Sequence, residues 1–187
     1  ICFIHTHNIT DLLYYASKIL EKDPSSADIL FFLEYQSTDN TKEEVKMKRT
    51  ATAIWNGSGK TGKGYLSTQT GTLNNTQYSF TSRFEQGIGT NPEELIAAAH
   101  AGCFNMALSF MLGAEGFEPK NIETKATLTM ENTNNAWSVT SIHLDVKANI
   151  PEINKETFNT IVNNAKANCP VSRLLNTNIS MNAELVS

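Results

Sequence analysis

Between Leu95 and Leu112 the chain carries no charged residue, and the flanking sequence marks both ends of a helix. Asn91 suits the N-cap, Pro92 the first helical position, and Glu94 falls at N3 as in a capping box. Gly113 or Gly116 can end it. A helix apolar nearly all round predicts burial on every face. One sheet covers one side, and a second subunit is a natural source of cover for the other. Asn105 and His100 interrupt the stretch, so no wholly apolar run reaches the roughly 18 residues of a membrane span, and no membrane partner is expected.

Strand-like segments surround this helix. RTATAIWN alternates, KGYLSTQTG follows a turn rich in glycine (Gly57, Gly59, Gly62, Gly64), and TQYSFTSRFE sets Tyr78, Phe80 and Phe84 among polar residues, which together predict an antiparallel meander. Downstream, NIETKATLTME and WSVTSIHLDVKANI read as a hairpin joined by NTNNA. KETFNTIVNNAKAN reads as an amphipathic helix with Phe158, Ile161, Val162 and Ala165 on one face. Cys169-Pro170 then starts a short helix, VSRLLN, and ISMNAELV makes the last strand. The order βββα–ββαβ predicts an α+β fold, with antiparallel sheet wrapped about one very apolar helix.

The chain has 187 residues, 40% hydrophobic, enough for one domain or a domain plus an appendage. Its charge is uneven: residues 1–46 hold four Lys and eight Asp or Glu, and the remainder holds eleven of each sign. No basic excess points to nucleic acid. Residues 1–46 begin at Ile1, are rich in aromatics and turn polar at QSTDNTKEEVK, with Asp11–Lys22 a possible helix. They are either an extension that packs on the domain or sequence outside the folded unit. The second is favoured, because the pattern from Met47 to Ser187 makes a minimal domain. The start lacks the basic n-region of a signal peptide, and three cysteines make no disulfide scaffold. A cytoplasmic protein is expected.

Two cysteines invite a chemical reading. Cys103 lies inside the apolar helix with Ala99 and Ala107 at i−4 and i+4, which leaves space above the sulfur. A well-packed inert core thiol is the plainer account. Cys169 stands at the N-cap of the short helix, where free backbone N–H groups favour a thiolate. It is otherwise a mere cap residue. Each belongs to a helix expected to line the same core, so the two sulfurs, 66 residues apart in the chain, can meet. Arg83 reads as a strand residue sharing a face with Thr81 and Glu85; it either pairs with Glu85 or activates a thiol. Glu93, at N2, complements the helix dipole, and about 15 Å of helix separates it from Cys103. If that helix is continuous, a site joining Glu93 to Cys103 must be assembled across two subunits. His100, Cys103 and Cys169 could present three metal ligands, a weak pattern without a CxxC pair. His143 reads as a surface strand residue, the glycines of 57–64 make no phosphate loop, and Cys2 receives no role.

FTSRFE, GTNPEELIAAAHAGCFNMALS and KANCPVSRLL together resemble the OsmC proteins (osmotically inducible protein C) of the OsmC/Ohr peroxidase family, over about Arg49 to Leu185. The resemblance implies antiparallel sheets wrapped around two central helices in an intertwined homodimer, with active sites at its interface. It implies a thiol-dependent peroxidase, active in stress defence, that prefers organic hydroperoxides to hydrogen peroxide. By motif, Cys103 in HAGCF becomes the peroxidatic cysteine and Cys169 in NCPVS the resolving one. Arg83 in TSRFE becomes the activating arginine and Glu93 in NPEEL its carboxylate partner. No cofactor or metal is implied beyond an external dithiol or lipoyl-type reductant. Phe104, Met106, Phe110 and Met111 are expected to form a greasy approach for organic peroxides. A non-catalytic dimeric binding protein and a Cys/His metal protein are the competing functions. The segment 1–46 has no counterpart in the family pattern.

Overall fold

The computed structural model describes residues 46–186, so the expected helix Asp11–Lys22 and Cys2 lie outside the described residues. Strands β1 (Ala51–Asn56), β2 (Lys63–Thr68) and β3 (Thr76–Ser79) form the expected antiparallel meander. One cross-strand row explains a glycine. Trp55, Gly64 and Tyr78 are register partners, the two rings lie 5.3 Å apart, and a Cβ at Gly64 would strike both. The rings close over the bare backbone and supply the contacts that a glycine in a strand forfeits.

The third strand is shorter than its alternation predicts. It stops at Ser79, and Phe80–Phe84 is a short helix, α1. The reason is local hydrogen bonding. Ser79 accepts from the Ser82 backbone N–H while its own N–H donates to Ser82 Oγ at 2.9 Å, a reciprocal cap that a strand cannot offer. Phe80 and Phe84 then meet one turn apart, with ring centroids at 4.9 Å. Arg83 is therefore a helix residue, and its expected strand-face grouping with Thr81 and Glu85 does not exist.

The uncharged stretch forms one continuous helix, α2 (Pro92–Ala114), whose N-cap Asn91 accepts from the Glu94 N–H as predicted. Asn91 also donates through Nδ2 to the Ser82 carbonyl at 3.2 Å, and Thr90 N donates to the Gln77 carbonyl at 3.0 Å. These bonds clamp α1 to the start of α2. By length and composition alone α2 is apolar enough to cross a membrane, a test that the core helix of a soluble protein also passes. Burial is also one-sided. His100, Phe104, Leu108 and Leu112, every fourth residue, are fully buried, whereas Met106 is 63% and Phe110 74% exposed. The all-round burial predicted for this helix is absent within a single chain.

Strands β4 (Asn121–Thr133) and β5 (Ala136–Asn149) make the expected hairpin. Asn134 and Asn135, at φ 55° and 62°, form its two-residue turn, a conformation asparagine tolerates better than most side chains. Helix α3 (Lys155–Asn168) and short α4 (Pro170–Leu174) follow, and β6 (Asn178–Val186) joins the far side of β5. This last pairing is parallel, not antiparallel as expected, because the α3–α4 connection crosses over rather than folding back. The fold is thus α+β with one antiparallel and one mixed sheet. The core joins Ile142, Leu144, Val146 and Ala148 of β5 to the buried face of α2 and to Phe158, Ile161, Val162 and Ala165 of α3, the four residues whose spacing predicted that face.

Candidate active site

Cys169 is the joint between two helices. Its N–H donates to the Ala165 carbonyl at 2.9 Å, completing α3, and its carbonyl accepts from Arg173 N at 3.0 Å, opening α4. Pro170 bars the α conformation from the residue before it, and Cys169 sits at φ −58°, ψ 122°. The side chain is fully buried. Across from it, on the middle of α2, Cys103 is half-buried. The two sulfurs lie 3.0 Å apart, one thiol hydrogen-bonded to the other, with both cysteines free. Two positions 66 residues apart in sequence are therefore in direct contact.

The surroundings order the two thiols. Burial pushes the Cys103 thiol above its ordinary value, and its bond to Cys169 adds to this. For Cys169, burial also acts upward. It is outweighed by the bond from Cys103 and by the Ser172 and Val171 groups, and the net direction is downward. In a lone chain the sulfur at the helix N-terminus ionises first. The bond from Cys103 is the largest of the downward causes, and the groups of the first α4 turn add to it.

Arg83 and Glu93 meet at the other end of α2. The fork is bidentate: Arg83 Nη2 donates to Oε1 at 2.6 Å, and Nε to both carboxylate oxygens at 3.1 Å. The expected alternative partner, Glu85, is instead the exposed C-cap of α1. The Arg83 guanidinium also lies 5.1 Å above the Phe84 ring, and Phe84 packs on Trp137 at 5.2 Å. Because α2 is continuous from Pro92, Glu93 stands about 15 Å along the axis from Cys103. The structure therefore brings together Cys103 with Cys169, and Arg83 with Glu93, but leaves the two pairs apart within one chain.

The expected greasy approach is revised. Phe104 is a core residue with no exposed surface and Met111 packs against the core, so only Met106 and Phe110 of the four are exposed. They stand on one side of α2 with Ala98, Ala99 and Gly102, also exposed, at helical spacing. His100 is not aimed outward to a metal. It is fully buried, and Nε2 lies 2.8 Å from Ser172 Oγ. Among the described residues no group of three His, Cys, Asp or Glu is placed to hold a metal ion. His143 lies half-buried on β5, with Ser180, Asp145 and Asn182 around its ring. Sequence reasoning missed Ser172 as the partner of His100, since the two stand 72 positions apart and only the fold brings them together.

A family model described as OsmC-like protein matches residues 85–184. The peroxiredoxin OsmC of Escherichia coli strain K12 is 47% identical over 135 residues, covering 72% of this chain and 94% of that protein. The organic hydroperoxide resistance protein OhrB of Bacillus subtilis is 27% identical over 123 residues, covering 65% of this chain and 88% of that one. In three dimensions, a crystal structure of an OsmC-like protein from Mycoplasma pneumoniae superposes with a TM-score of 0.62. It has 15% identity and covers 76% of this chain and 99% of that chain, a likeness of fold alone.

Proposed function

The chain belongs to the OsmC-like protein family, and from that premise we propose that it is a two-cysteine peroxidase that detoxifies organic hydroperoxides. The observation that carries this reading is the 3.0 Å contact between the sulfurs of Cys103 and Cys169. A thiolate at Cys103 attacks the distal peroxide oxygen; the O–O bond breaks, an alcohol leaves after taking up a proton, and Cys103 becomes a sulfenic acid. Cys169 then attacks that sulfur. A disulfide forms, the S–O bond breaks and water departs. The neighbouring thiol captures the sulfenate before a second peroxide can over-oxidise it. An external dithiol, lipoyl or similar, restores both thiols by exchange. The unit that carries the chemistry runs from Met47 onward, and a cytoplasmic setting suits it because dithiol reductants are kept reduced there.

Arg83 is the activating cation and Glu93 its orienting partner, and both act on the Cys103 of a second subunit. Three observations support this assignment. Burial and the neighbouring Cys169 raise the Cys103 thiol, so a nucleophile there needs positive charge from elsewhere. The Arg83–Glu93 fork is ten helical residues away from Cys103 in its own chain. The exposed face formed by Ala98, Gly102, Met106 and Phe110 lies along the helix that joins them. Two such helices running past each other in opposite directions cover this face and bring each fork to the other chain's thiol. The intertwined homodimer, with its sheets around two central helices, is the assembly that completes the site. Met106 and Phe110 then line the approach for an organic peroxide.

Thiol titration before and after one equivalent of an organic hydroperoxide tests the reading. The expected result is rapid loss of two thiols per chain, with a Cys103–Cys169 disulfide in the peptide map. Retention of both thiols would sink it and favour a binding protein that uses the same apolar face.

A further inference from the structure

The tip of the β4–β5 hairpin reaches the Arg83 fork, although nothing in the proposed chemistry asks for it. Met130 and Trp137 stand on the two strands there. Met130 Sδ lies 3.7 Å from Arg83 Nη2. The Trp137 ring packs at 5.2 Å on Phe84, whose own ring lies under the guanidinium. Phe80 also packs on Phe84, at 4.9 Å.

Strand geometry explains how Trp137 arrives at that ring. Side chains alternate between the two faces of a strand. In β5 Ile142 and Leu144 face the core, so strict alternation would send Val139 and Trp137 to the opposite face. The register shifts instead: Thr129 pairs with Ser141 but Met130 pairs with Val139, and Thr140 is left over as a β-bulge. The extra residue reverses the alternation. Val139 packs against the core, and Trp137, opposite Asn132, comes onto the face of Met130. Bulges beside active sites commonly re-aim a side chain, and here the re-aimed ring is the one that meets Phe84.

Arg83 has little else to hold it. Its helix α1 has five residues, too few to keep a shape by their own hydrogen bonds, and its side chain is 37% exposed. Glu93 fixes the guanidinium along one edge, through Nε and Nη2. An ion pair at the surface gives limited hold on a side chain with so many rotatable bonds. The Phe84 ring adds a face, the Met130 sulfur a second contact at Nη2, and Trp137 backs the ring. We propose that Trp137 and Met130 are positioning residues for Arg83, the bulged hairpin tip keeping the guanidinium in the orientation that serves the Cys103 of a second subunit. The inference rests on the activating role of Arg83.

Two measurements on the full chain test it, one on the guanidinium and one on the chemistry. The first is solvent exchange of the Arg83 Nε–H, a nuclear magnetic resonance signal identified by its loss in R83A. An aromatic pair is worth up to about tenfold, so exchange is expected to be about fivefold faster in W137A and near the parent rate in W137F. M130A acts the same way and by less. The second is the pH–rate profile of peroxide consumption. W137A moves its rise to higher pH, the direction set by weakening a cation that favours the thiolate, and lowers the rate at neutral pH about fivefold. In a chain already carrying R83A, W137A has no further effect. Unchanged Nε–H exchange in W137A overturns the proposal. So does a W137A slowing that persists undiminished in R83A, which would set the ring against the peroxide instead. If R83A itself leaves the profile unmoved, the activating role of Arg83 falls, and the exchange measurement alone decides whether the hairpin tip holds the fork.

Discussion

Replacing Arg83 with alanine gives the sharpest test of where the activating charge acts. Within one chain the guanidinium is at the Glu93 end of α2, about 15 Å from Cys103. At that distance in water a unit charge is worth only about 0.3 kcal/mol. The carboxylate 2.6 Å from Arg83 cancels most of that. Loss of Arg83 would then change thiolate reactivity less than twofold. Supplied by a second subunit at about 4 Å, the same charge is worth about 4 kcal/mol near a protein surface. That figure is discounted because the Arg83 side chain is 37% exposed in the lone chain. Even a third of it is about a tenfold effect. The assay is the second-order rate of peroxide consumption against pH. Since the thiolate is the reacting form, losing a cation that favours it moves the rise of the profile to higher pH and lowers the rate at neutral pH at least tenfold. Mixed dimers of R83A and C103S chains resolve the geometry. They contain one active site with both residues intact, so pooling a slowed and an inactive variant restores up to half the wild-type activity per such dimer. A profile unmoved in R83A, or no recovery on mixing, would refute the reasoning.

Two further substitutions separate the roles of thiol and surface. C103S abolishes peroxide consumption, whereas C169S completes one turnover and then accumulates sulfinic acid at Cys103 by mass spectrometry; sustained cycling of C169S with a dithiol reductant would remove Cys169 from the mechanism. F110E sets a charge on the exposed apolar face of α2, where burial against a second copy would cost several kcal/mol. It is expected to shift the sedimentation profile toward monomer and to cut activity more than tenfold at low protein concentration, while thermal stability of the single chain changes little.

What could be read in advance was local. The Asn91 cap, the buried face of α3, the Asn-rich hairpin turn and the N-cap position of Cys169 each depend on residues within a turn or two, and each stands as predicted. The alternation in TQYSFTSRFE was an equally local signal and misled. Two serine hydroxyls favour a helix at Phe80–Phe84, and the Thr90 carbonyl, which accepts from Ser82 Oγ at 2.9 Å, holds it from outside the segment. Apolar spacing likewise overstated the burial of α2, because periodicity records which faces are greasy and not what covers them.

The sequence by itself determined which groups exist for chemistry, and its motifs named their family. Tertiary structure decided which groups meet. A parallel β5–β6 pairing, reached through a crossover, carries α3 and α4 back over α2 and sets Cys169 against Cys103. Clamping of α1 to the start of α2 turns Arg83 toward Glu93 rather than Glu85. His100 finds Ser172 across 72 positions. Each of these contacts is set by packing between elements remote in the chain, where no residue's own preference specifies a partner; the family resemblance implied the first two pairings, and the His100–Ser172 pair was visible only once the chain was folded.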